Sequence, residues 1–249
     1  MNFLTDNPAL YEAQFPDPEH AAARFVDGLV RRFGAERSVL DVGCGTGRDA
    51  GYLTGLGYEA AGIDVSGPML EYARRRHPGV AFTRADMRDF RLGARFGVVT
   101  CLDSALLYCH TNDDLVAFLE RCRAHLRPGG LLIAEMRNGA YFLSNPVPEP
   151  FTRTVVHDGV PHTSHTTLWI DHEAQLLRRR RRWTRPGGEP LDQRSAWRLL
   201  FPRELEFLLA SCGLEVLALF DGPGPRAEPH SGPPLSGDRL HVVARIKGN

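Results

Sequence analysis

Several features that would place this 249-residue chain in a specialised class are missing from its sequence. Its formal charge is zero, so no overall electrostatic field attracts it to nucleic acid or to a membrane surface. No window approaches the roughly 18 apolar residues that a transmembrane helix needs. The N-terminus also lacks a basic stretch followed by an apolar run, which is the pattern of an export signal. We therefore expect a cytoplasmic protein that has neither a membrane nor a nucleic acid among its partners.

Cysteine and lysine are also scarce. The five cysteines are an odd set without a Cys-x-x-Cys pair, so no disulfide framework is expected and a reducing compartment is favoured. The histidines show neither His-Glu-x-x-His nor a mixed Cys/His ligand spacing, so the sequence predicts no metal site. Lys247 is the only lysine among the 30 lysines and arginines. The chain is long enough for one sizeable core with a small appended subdomain.

The most informative stretch of the sequence is a glycine-rich turn that follows a short apolar run. Residues 39–42 predict a buried strand, and Gly43, Gly45 and Gly47 come directly after it. Glycine suits such a turn because it adopts a positive φ and because it has no Cβ to keep a ligand away from the main chain. The spacing differs from Gly-x-Gly-x-x-Gly, which argues against a nicotinamide cofactor.

Acidic residues follow the next two predicted strands. Residues 58–63 predict a strand that ends at Asp64, and residues 81–84 predict another that is followed by Asp86 and Met87. In an open parallel sheet, the carboxyl ends of adjacent strands meet at the crevice where a ligand binds. A carboxylate at Asp64 can accept hydrogen bonds from both hydroxyls of a ribose.

With Asp41 two residues before the first glycine, the turn resembles motif I of the class I S-adenosylmethionine (SAM)-dependent methyltransferases. This resemblance implies SAM as the cofactor and S-adenosylhomocysteine as the product. It assigns Asp86 to the adenine amino group, Met87 to the face of the adenine ring, and Tyr11 to an N-terminal lid. The residues assigned to the cofactor are Tyr11, Asp41, Gly43, Cys44, Gly45, Gly47, Asp64, Val65, Met69, Asp86, Met87, Cys101 and Leu102.

Strands alternate with helical segments along most of the chain, which predicts parallel β-α-β units. We expect an α/β fold with a Rossmann-like, mostly parallel sheet of seven strands and helices on both faces. The last two strands are expected to form a hairpin around a mobile, Gly- and Pro-rich loop at 221–238. Asp17 indicates a helix start, and Pro128-Gly129-Gly130 a break before strand 130–136. The predicted segments are an N-terminal lid and helix (1–36), a SAM-binding core (37–148), an inserted antiparallel β subdomain (149–200), and a C-terminal helix and hairpin (201–249).

The insertion at 149–200 interrupts this alternation with three or four predicted antiparallel strands, the first two joined by a turn at Asp158-Gly159. An insertion after the fifth strand lies beside the carboxyl edge of the sheet, so we expect a lid over the substrate. A dimerisation surface is the alternative, and a homodimer through these strands is compatible with a lid.

The insertion also contains five consecutive arginines, Arg178 to Arg182. On a strand, Arg178, Arg180 and Arg182 face one side while Arg179 and Arg181 face the other, which disperses the charge. A solvated edge strand is the favoured interpretation. An anionic small acceptor and RNA are the alternatives.

Three segments extend the resemblance along the chain: the exit of strand four at 101–108, the inserted strands, and the helix start at 200–205. Together they resemble small-molecule methyltransferases of actinobacterial secondary metabolism, including enzymes that N-methylate amino sugars. The resemblance implies methyl transfer to a nitrogen or oxygen atom, or to carbon, of a small natural product such as an antibiotic precursor. In the aminosugar enzymes a histidine or other polar residue near the exit of strand four faces the acceptor. Tyr108 takes about that place here, which puts a histidine base in doubt.

The candidate catalytic residues are expected at the carboxyl ends of strands four and five or on the insertion. Asp103 is the main candidate because a carboxylate in this apolar stretch can bind a cationic amine or take a proton, although it also suits a helix cap. Tyr108 and His110 are further candidates. Arg137 and Asn138 are expected at the substrate together with Asp103 and Tyr108. Arg137 can hold a carboxylate or phosphate through a bidentate contact, or it can form a structural ion pair.

Three other functions compete with this interpretation. An RNA or protein methyltransferase is disfavoured by the neutral charge and by the lack of Asn-Pro-Pro-Tyr after strand four. A nicotinamide-dependent dehydrogenase is disfavoured by the glycine spacing. A SAM-binding protein that performs chemistry other than methyl transfer is compatible with the sequence.

Overall fold

Two β-sheets and six α-helices make up the part of the chain that the structure describes, which is residues 3–222, 230–231 and 234–247 of the computed structural model. The strands are β1 (Ser38–Val42), β2 (Glu59–Asp64), β3 (Ala81–Arg84), β4 (Phe96–Cys101), β5 (Leu126–Arg137), β6 (Phe151–His157), β7 (Val160–Asp171), β8 (Leu176–Thr184), β9 (Leu191–Arg198), β10 (Leu214–Gly222), β11 (His230–Ser231) and β12 (Arg239–Ile246). The helices are α1 (Pro8–Gln14), α2 (Ala21–Phe33), α3 (Arg48–Gly55), α4 (Gly67–Arg76), α5 (Asn112–His125) and α6 (Pro202–Ser211).

The larger sheet has the strand order β11-β10-β12-β5-β4-β1-β2-β3. Strands β5, β4, β1, β2 and β3 run parallel to one another, whereas β12 is antiparallel to both β5 and β10. The prediction of a mostly parallel, seven-stranded sheet that ends in a hairpin is confirmed, with the two-residue β11 added at the edge. Residues 223–229 and 232–233 of the predicted Gly- and Pro-rich loop lie outside the described residues.

Every residue of β1 and β4 is buried because helices cover both faces of this sheet. On one face, α2, α3 and α4 pack through buried residues such as Val26, Leu53 and Leu70. On the other face, α5 and α6 contribute Phe118 and Leu205. No helix in the described ranges is long and apolar enough to span a bilayer.

Two predicted element boundaries are wrong. Asp17 was expected to begin a helix, but α2 starts at Ala21, because Asp17 instead closes a turn: its Oδ1 accepts the backbone N–H of Ala21 at 3.2 Å and its carbonyl that of His20 at 3.2 Å. Strand β5 begins at Leu126 and continues through the predicted break at Pro128-Gly129-Gly130. The chain accommodates this break as an irregularity in the β4–β5 ladder, where Gly129 has a φ of +76°.

The smaller sheet is an antiparallel meander in the order β6-β7-β8-β9 and corresponds to the predicted insertion. Strand β8, which carries the five arginines, is an internal strand of this sheet with β7 and β9 on its two sides. The prediction of an edge strand is therefore wrong for this segment.

The N-terminal segment packs against the smaller sheet rather than against the main core. Leu4 and Leu10 form an apolar cluster with Trp183 of β8, and Phe3 and Tyr11 lie at its border. This cluster places the N-terminal segment and the inserted sheet side by side, over the carboxyl edge of the larger sheet.

Candidate functional site

A cavity of about 1150 Å³ lies at the carboxyl edge of the larger sheet, beneath the N-terminal segment and the inserted sheet. Twelve of the residues predicted for the site line it, and six do not. Those that line it are Tyr11, Gly43, Gly45, Asp64, Val65, Met69, Asp86, Met87, Leu102, Asp103, Tyr108 and Arg137. Those that do not are Asp41, Cys44, Gly47, Cys101, His110 and Asn138.

The glycine-rich turn forms one wall of the cavity, and its glycines serve different purposes. Gly45 has a φ of +52° and lines the cavity, and a Cβ at this position would meet no protein atom within 4 Å. That free space lets a ligand lie against the main chain. Gly47 instead permits packing, because a Cβ there would approach the Phe82 ring to 2.5 Å.

Asp64 at the end of β2 is fixed by the backbone on both of its oxygens. Oδ2 accepts the N–H of Gly45 at 2.9 Å and Oδ1 accepts the N–H of Ser66 at 2.8 Å. Burial raises the pKa of Asp64, and these backbone hydrogen bonds lower it. Each oxygen keeps a further lone pair, so the carboxylate can accept from two neighbouring hydroxyls of a ligand.

Asp41 lies below the turn and outside the cavity lining. Its Oδ1 accepts a hydrogen bond from Thr100 Oγ1 at 2.8 Å. Burial and the nearby Asp49 carboxylate raise the pKa of Asp41 to about 7. The structure therefore gives Asp41 a contact that ties β1 to β4 and so supports the turn from beneath.

Asp86 is already engaged by a side chain that the sequence interpretation missed. Arg88, which also lines the cavity, donates Nε to Asp86 Oδ1 at 2.9 Å and Nη2 to Oδ2 at 2.7 Å. Its Nη1 also contacts Asp114 at 3.1 Å. These hydrogen bonds with Arg88 lower the pKa of Asp86. The spacing of two residues on a tight turn was the available indication of this pair.

The N-terminal segment closes one half of the cavity, the half next to the glycine-rich turn and Asp64, through polar contacts. Thr46 Oγ1 donates to Glu12, Arg48 Nη1 donates to the carbonyl of Phe15 at 2.8 Å, and Ser66 Oγ donates to that of Thr5 at 3.1 Å. These contacts connect the residues of 5–15 to the glycine-rich turn and to the region after β2. That this region is a lid stays a prediction, and sequence spacing gave no sign of the individual contacts.

Tyr11 connects the lid to the second half of the cavity. Its hydroxyl donates to Asp103 Oδ2 at 2.9 Å, across 92 residues of chain. Burial and the Asp103 carboxylate raise the pKa of Tyr11 well above its usual value, so the phenol stays protonated and acts as the donor. Asp103 itself follows β4, which places its carboxylate between the two halves of the cavity.

Five arginines line the half of the cavity beyond Asp103, and they are Arg137, Arg153, Arg179, Arg181 and Arg239. Arg137 ends β5, and Arg179 and Arg181 face inward from β8. Arg181 lies over the ring of Trp183, whereas Arg137 and Arg179 lie next to Trp197 of β9. The guanidinium of Arg179 lies 4.5 Å from the Trp197 ring centre and that of Arg137 lies 5.3 Å from it. The alternation within the arginine run is therefore confirmed, and Trp197 is a residue that the sequence interpretation missed.

Arg137, Arg179 and Arg181 are desolvated and only partly paired. Burial lowers the pKa of Arg137 and Arg179, and it lowers that of Arg181 to about 9. Arg181 Nε donates to Thr166 at 3.0 Å, but Arg181 Nη1 and Arg179 Nε are buried without a hydrogen-bond partner among the described residues. Such an arrangement can bind an anion that supplies the missing acceptors.

Two residues predicted for the site lie outside the cavity lining. His110 Nε2 lies 3.0 Å from the carbonyl oxygen of Ala196, and the residue borders a separate, shallower pocket. Asn138 is fully buried and already satisfied, because it donates to the carbonyls of Leu235 and Gly237 and accepts from Ala140. His110, predicted as a catalytic residue, and Asn138, predicted at the substrate, therefore both lie outside the cavity lining. No cluster of potential metal ligands occurs among the residues that the structure describes.

Comparison with known proteins agrees with this geometry. Residues 39–130 match the family model described as a methyltransferase domain. The chain is 32% identical over 240 residues to dTDP-4-amino-2,3,4,6-tetradeoxy-D-glucose N,N-dimethyltransferase of Saccharopolyspora spinosa, which covers 95% of this chain and 90% of that protein. It is also 37% identical over 150 residues to dTDP-3-amino-3,6-dideoxy-alpha-D-glucopyranose N,N-dimethyltransferase of Streptomyces fradiae, covering 60% of this chain. That match spans only about half of the relative's length (56%), as does one to a Streptomyces venezuelae enzyme (49%).

Solved structures share the fold over nearly the whole chain. The sugar N-methyltransferase KedS8 from Streptoalloteichus has a TM-score of 0.78 at 24% identity, covering 94% of this chain and 91% of that one. The SAM-bound amino pentose methyltransferase CalS10 from Micromonospora has a TM-score of 0.72 at 25% identity, covering 96% and 95%.

Proposed function

This chain belongs to the family of SAM-dependent methyltransferases, and from that premise we propose that it methylates the amino nitrogen of a nucleotide-activated sugar. Its cofactor is SAM, and small-molecule methylation agrees with its relatives. The observation that carries the choice of acceptor is the inward pair Arg179 and Arg181, whose unpaired N–H groups share one cavity with Asp103. A diphosphate matches the arginines and an ammonium matches the carboxylate.

The residues of the first half of the cavity fit SAM. Gly45 leaves room for a ligand against the main chain, and Asp64 retains lone pairs for the ribose hydroxyls. Met69 and Met87 supply apolar surface for the adenine ring. Gln14 Oε1, which is buried without a described partner, is a free acceptor in the same lining. We therefore propose that these residues hold the cofactor.

When bound, SAM supplies a methyl group on a positively charged sulfur. The chain has to hold the acceptor in line with that group and to exclude water. Asp103 attracts the ammonium form of the acceptor and accepts its proton, since only the free amine is a nucleophile. Tyr11 donates to the same carboxylate and so fixes its direction. Tyr108, at the border of this half, contributes a wall next to Trp197, with 6.3 Å between the ring centres.

The outward-facing arginines support a small-molecule partner rather than RNA. Arg178 contacts Asp171 at 2.7 Å, and Arg180 and Arg182 lie 3.5 and 3.9 Å from Asp192. Two carboxylates therefore compensate two of these three positive charges, whereas RNA binding needs free cations. We further propose a homodimer through the inserted sheet and a cytoplasmic location. Trp169, exposed on that sheet, and the five free, buried cysteines agree with these two proposals.

The experiment incubates purified protein and methyl-labelled SAM with a dTDP-aminosugar, the free aminosugar, and a dTDP-sugar that has a hydroxyl in place of the amine. We expect label in the dTDP-aminosugar only. Equal labelling of the free aminosugar would reject the role of the diphosphate, and labelling of the hydroxyl sugar would reject the amine. SAM binding without labelling of any sugar would favour non-methylating chemistry or a different acceptor class.

A further inference from the structure

The turn that carries Asp103 has an unusual backbone. Asp103 and Ser104 have φ values of +48° and +63°, so two consecutive residues with side chains occupy the left-handed region. This region is unfavourable for residues other than glycine and persists only where surrounding contacts enforce it. The direction of the Asp103 carboxylate therefore depends on what holds the turn.

Strand β5 supplies three contacts that hold it. The backbone N–H of Asp103 donates to Glu135 Oε2 at 2.6 Å, and the backbone N–H of Ser104 donates to the Glu135 carbonyl at 3.0 Å. The backbone N–H of Arg137 in turn donates to Ser104 Oγ at 3.0 Å. One contact comes from a side chain, and it acts on Asp103 directly.

That side chain lies beneath the cavity rather than in it. Glu135 is 7% exposed, does not belong to the cavity lining, and also faces Arg239 of β12, whose Nε lies 3.0 Å from Glu135 Oε1. The Arg239 side chain is itself 4% exposed. Burial raises the pKa of Glu135, as does the Asp103 carboxylate, whereas the Arg239 cation lowers it and favours the ionised form.

We propose that Glu135 is a positioning residue for methyl transfer: its ionised carboxylate holds the backbone N–H of Asp103 and thereby directs the Asp103 carboxylate at the acceptor amine. This inference rests on the proposed function for the nature of the acceptor. The hold on the turn does not depend on it, because the Glu135 contacts are present whatever the acceptor is.

A carboxylate is required here because both neighbours are donors. Glu135 accepts from the Asp103 N–H on one oxygen and faces the Arg239 guanidinium with the other. A glutamine has a single acceptor oxygen, so in either orientation its NH₂ group meets a donor. The double variant E135Q/R239Q resolves this conflict. The amide oxygen introduced by R239Q can accept from the NH₂ group introduced by E135Q, and the amide oxygen introduced by E135Q then accepts from the Asp103 N–H.

The test compares wild type, E135Q, E135Q/R239Q and the control E204Q. The control removes a carboxylate that also pairs with a buried arginine, Arg198 at 2.6 Å, but does not line the cavity. For each protein we would measure kcat and KM for the dTDP-aminosugar, the Kd for SAM by calorimetry, and the melting temperature. Crystal structures would give φ at 103 and 104 and the distance from Asp103 to Tyr11.

We expect E135Q to lower kcat by about 10- to 100-fold, as misplaced reacting groups do, with SAM affinity changed by less than about 3-fold. The turn should leave the left-handed region in E135Q and return in E135Q/R239Q together with part of the activity. E204Q should lose stability but keep its kcat.

The proposal is overturned if E135Q keeps the φ values of the turn, or if its kcat falls no further than that of E204Q. If the wild-type protein does not methylate the sugar, the proposed function fails, while the φ values still decide whether Glu135 holds the turn.

Discussion

The Asp64 carboxylate provides the sharpest test of the cofactor half of the cavity. Its two oxygens each accept one backbone N–H, from Gly45 and Ser66, and each keeps one lone pair for a ribose hydroxyl. In D64N one oxygen becomes an NH₂ group, so one hydroxyl loses its acceptor and one backbone N–H faces a donor. In D64A both hydroxyls lose theirs.

The magnitude follows from these contacts. A hydrogen bond to a charged group contributes about 1.5 to 3 kcal/mol, which corresponds to roughly 10- to 150-fold in Kd. We expect D64N to weaken S-adenosylhomocysteine binding within this range. D64A loses both acceptors, so we expect it to bind S-adenosylhomocysteine at least as weakly as D64N does. This holds even though alanine places no NH₂ group against the backbone N–H.

The assay is titration calorimetry with S-adenosylhomocysteine and with its 2′-deoxy and 3′-deoxy analogues. Wild type should lose affinity for the deoxy analogues, whereas D64A should bind all three ligands with similar affinity, because the deleted hydroxyls no longer have a partner. The resulting double-mutant cycle isolates the contact from general damage. Binding of S-adenosylhomocysteine by D64A within about 2-fold of wild type, well below the loss of one charged hydrogen bond, would refute the assignment.

Three further predictions concern the rest of the molecule. D103N should lower kcat by about 100-fold while SAM affinity stays unchanged, the lower end of the range for losing a proton acceptor; kcat close to wild type would make Asp103 a structural residue. R179M should raise the KM for the dTDP-aminosugar by about 10- to 100-fold, whereas R180M, on the outward face of the same strand, should leave it unchanged; equal effects would contradict the assignment of the inward face. Burial and Arg239 lower the pKa of His241 to about 4, so the unfolded chain binds a proton that the folded chain does not take up between about pH 6.5 and about pH 4. The stability that neutral His241 contributes is thus present above about pH 6.5 and is lost as the pH falls through about 4. In urea unfolding, the free energy of unfolding of wild type should therefore fall by about 3 kcal/mol more than that of H241L over this range. Equal falls in the two proteins would rule this out.

The cofactor half of the site was predictable because its geometry is set by sheet topology. Parallel strands bring their carboxyl ends to one edge, so an acid after β2 and an acid after β3 must lie near the glycine-rich turn. Asp64, Asp86, Gly43 and Gly45 accordingly line one cavity, whereas Gly47 serves packing against Phe82. What the pattern does not contain is the partner of each acid, and this is why the pair of Asp86 with Arg88 was missed.

The acceptor half was less predictable because it depends on contacts between distant segments. Tyr11 and Asp103 meet across 92 residues, and no spacing rule connects a lid helix with the exit of β4. His110 follows Asp103 closely in sequence, yet the short helical turn between them directs it towards β9 instead. Asn138 directly follows β5, but its side-chain amide fixes the loop before β12.

The arginine run shows where pattern reasoning reaches its limit. Alternation on a strand correctly separated Arg179 and Arg181 from their neighbours, because it is a local property of extended backbone. It could not decide which set faces the cavity, since both sets consist of the same residue type. It also could not show that β8 is internal, because that depends on β9 joining the same sheet.

The same run has a consequence for how the inserted sheet attains its register. Five identical side chains look the same after a shift of two residues, so they cannot by themselves specify which arginine occupies which place. The specification comes from the apolar residues at the ends of the inward row, Leu177 and Trp183, which are 0% and 3% exposed. A shift of two residues in either direction would move one of them out of its apolar surroundings and bring a guanidinium in, at the cost of an unpaired buried charge. Leu177 and Trp183 thus determine where Arg179 and Arg181 lie in the cavity.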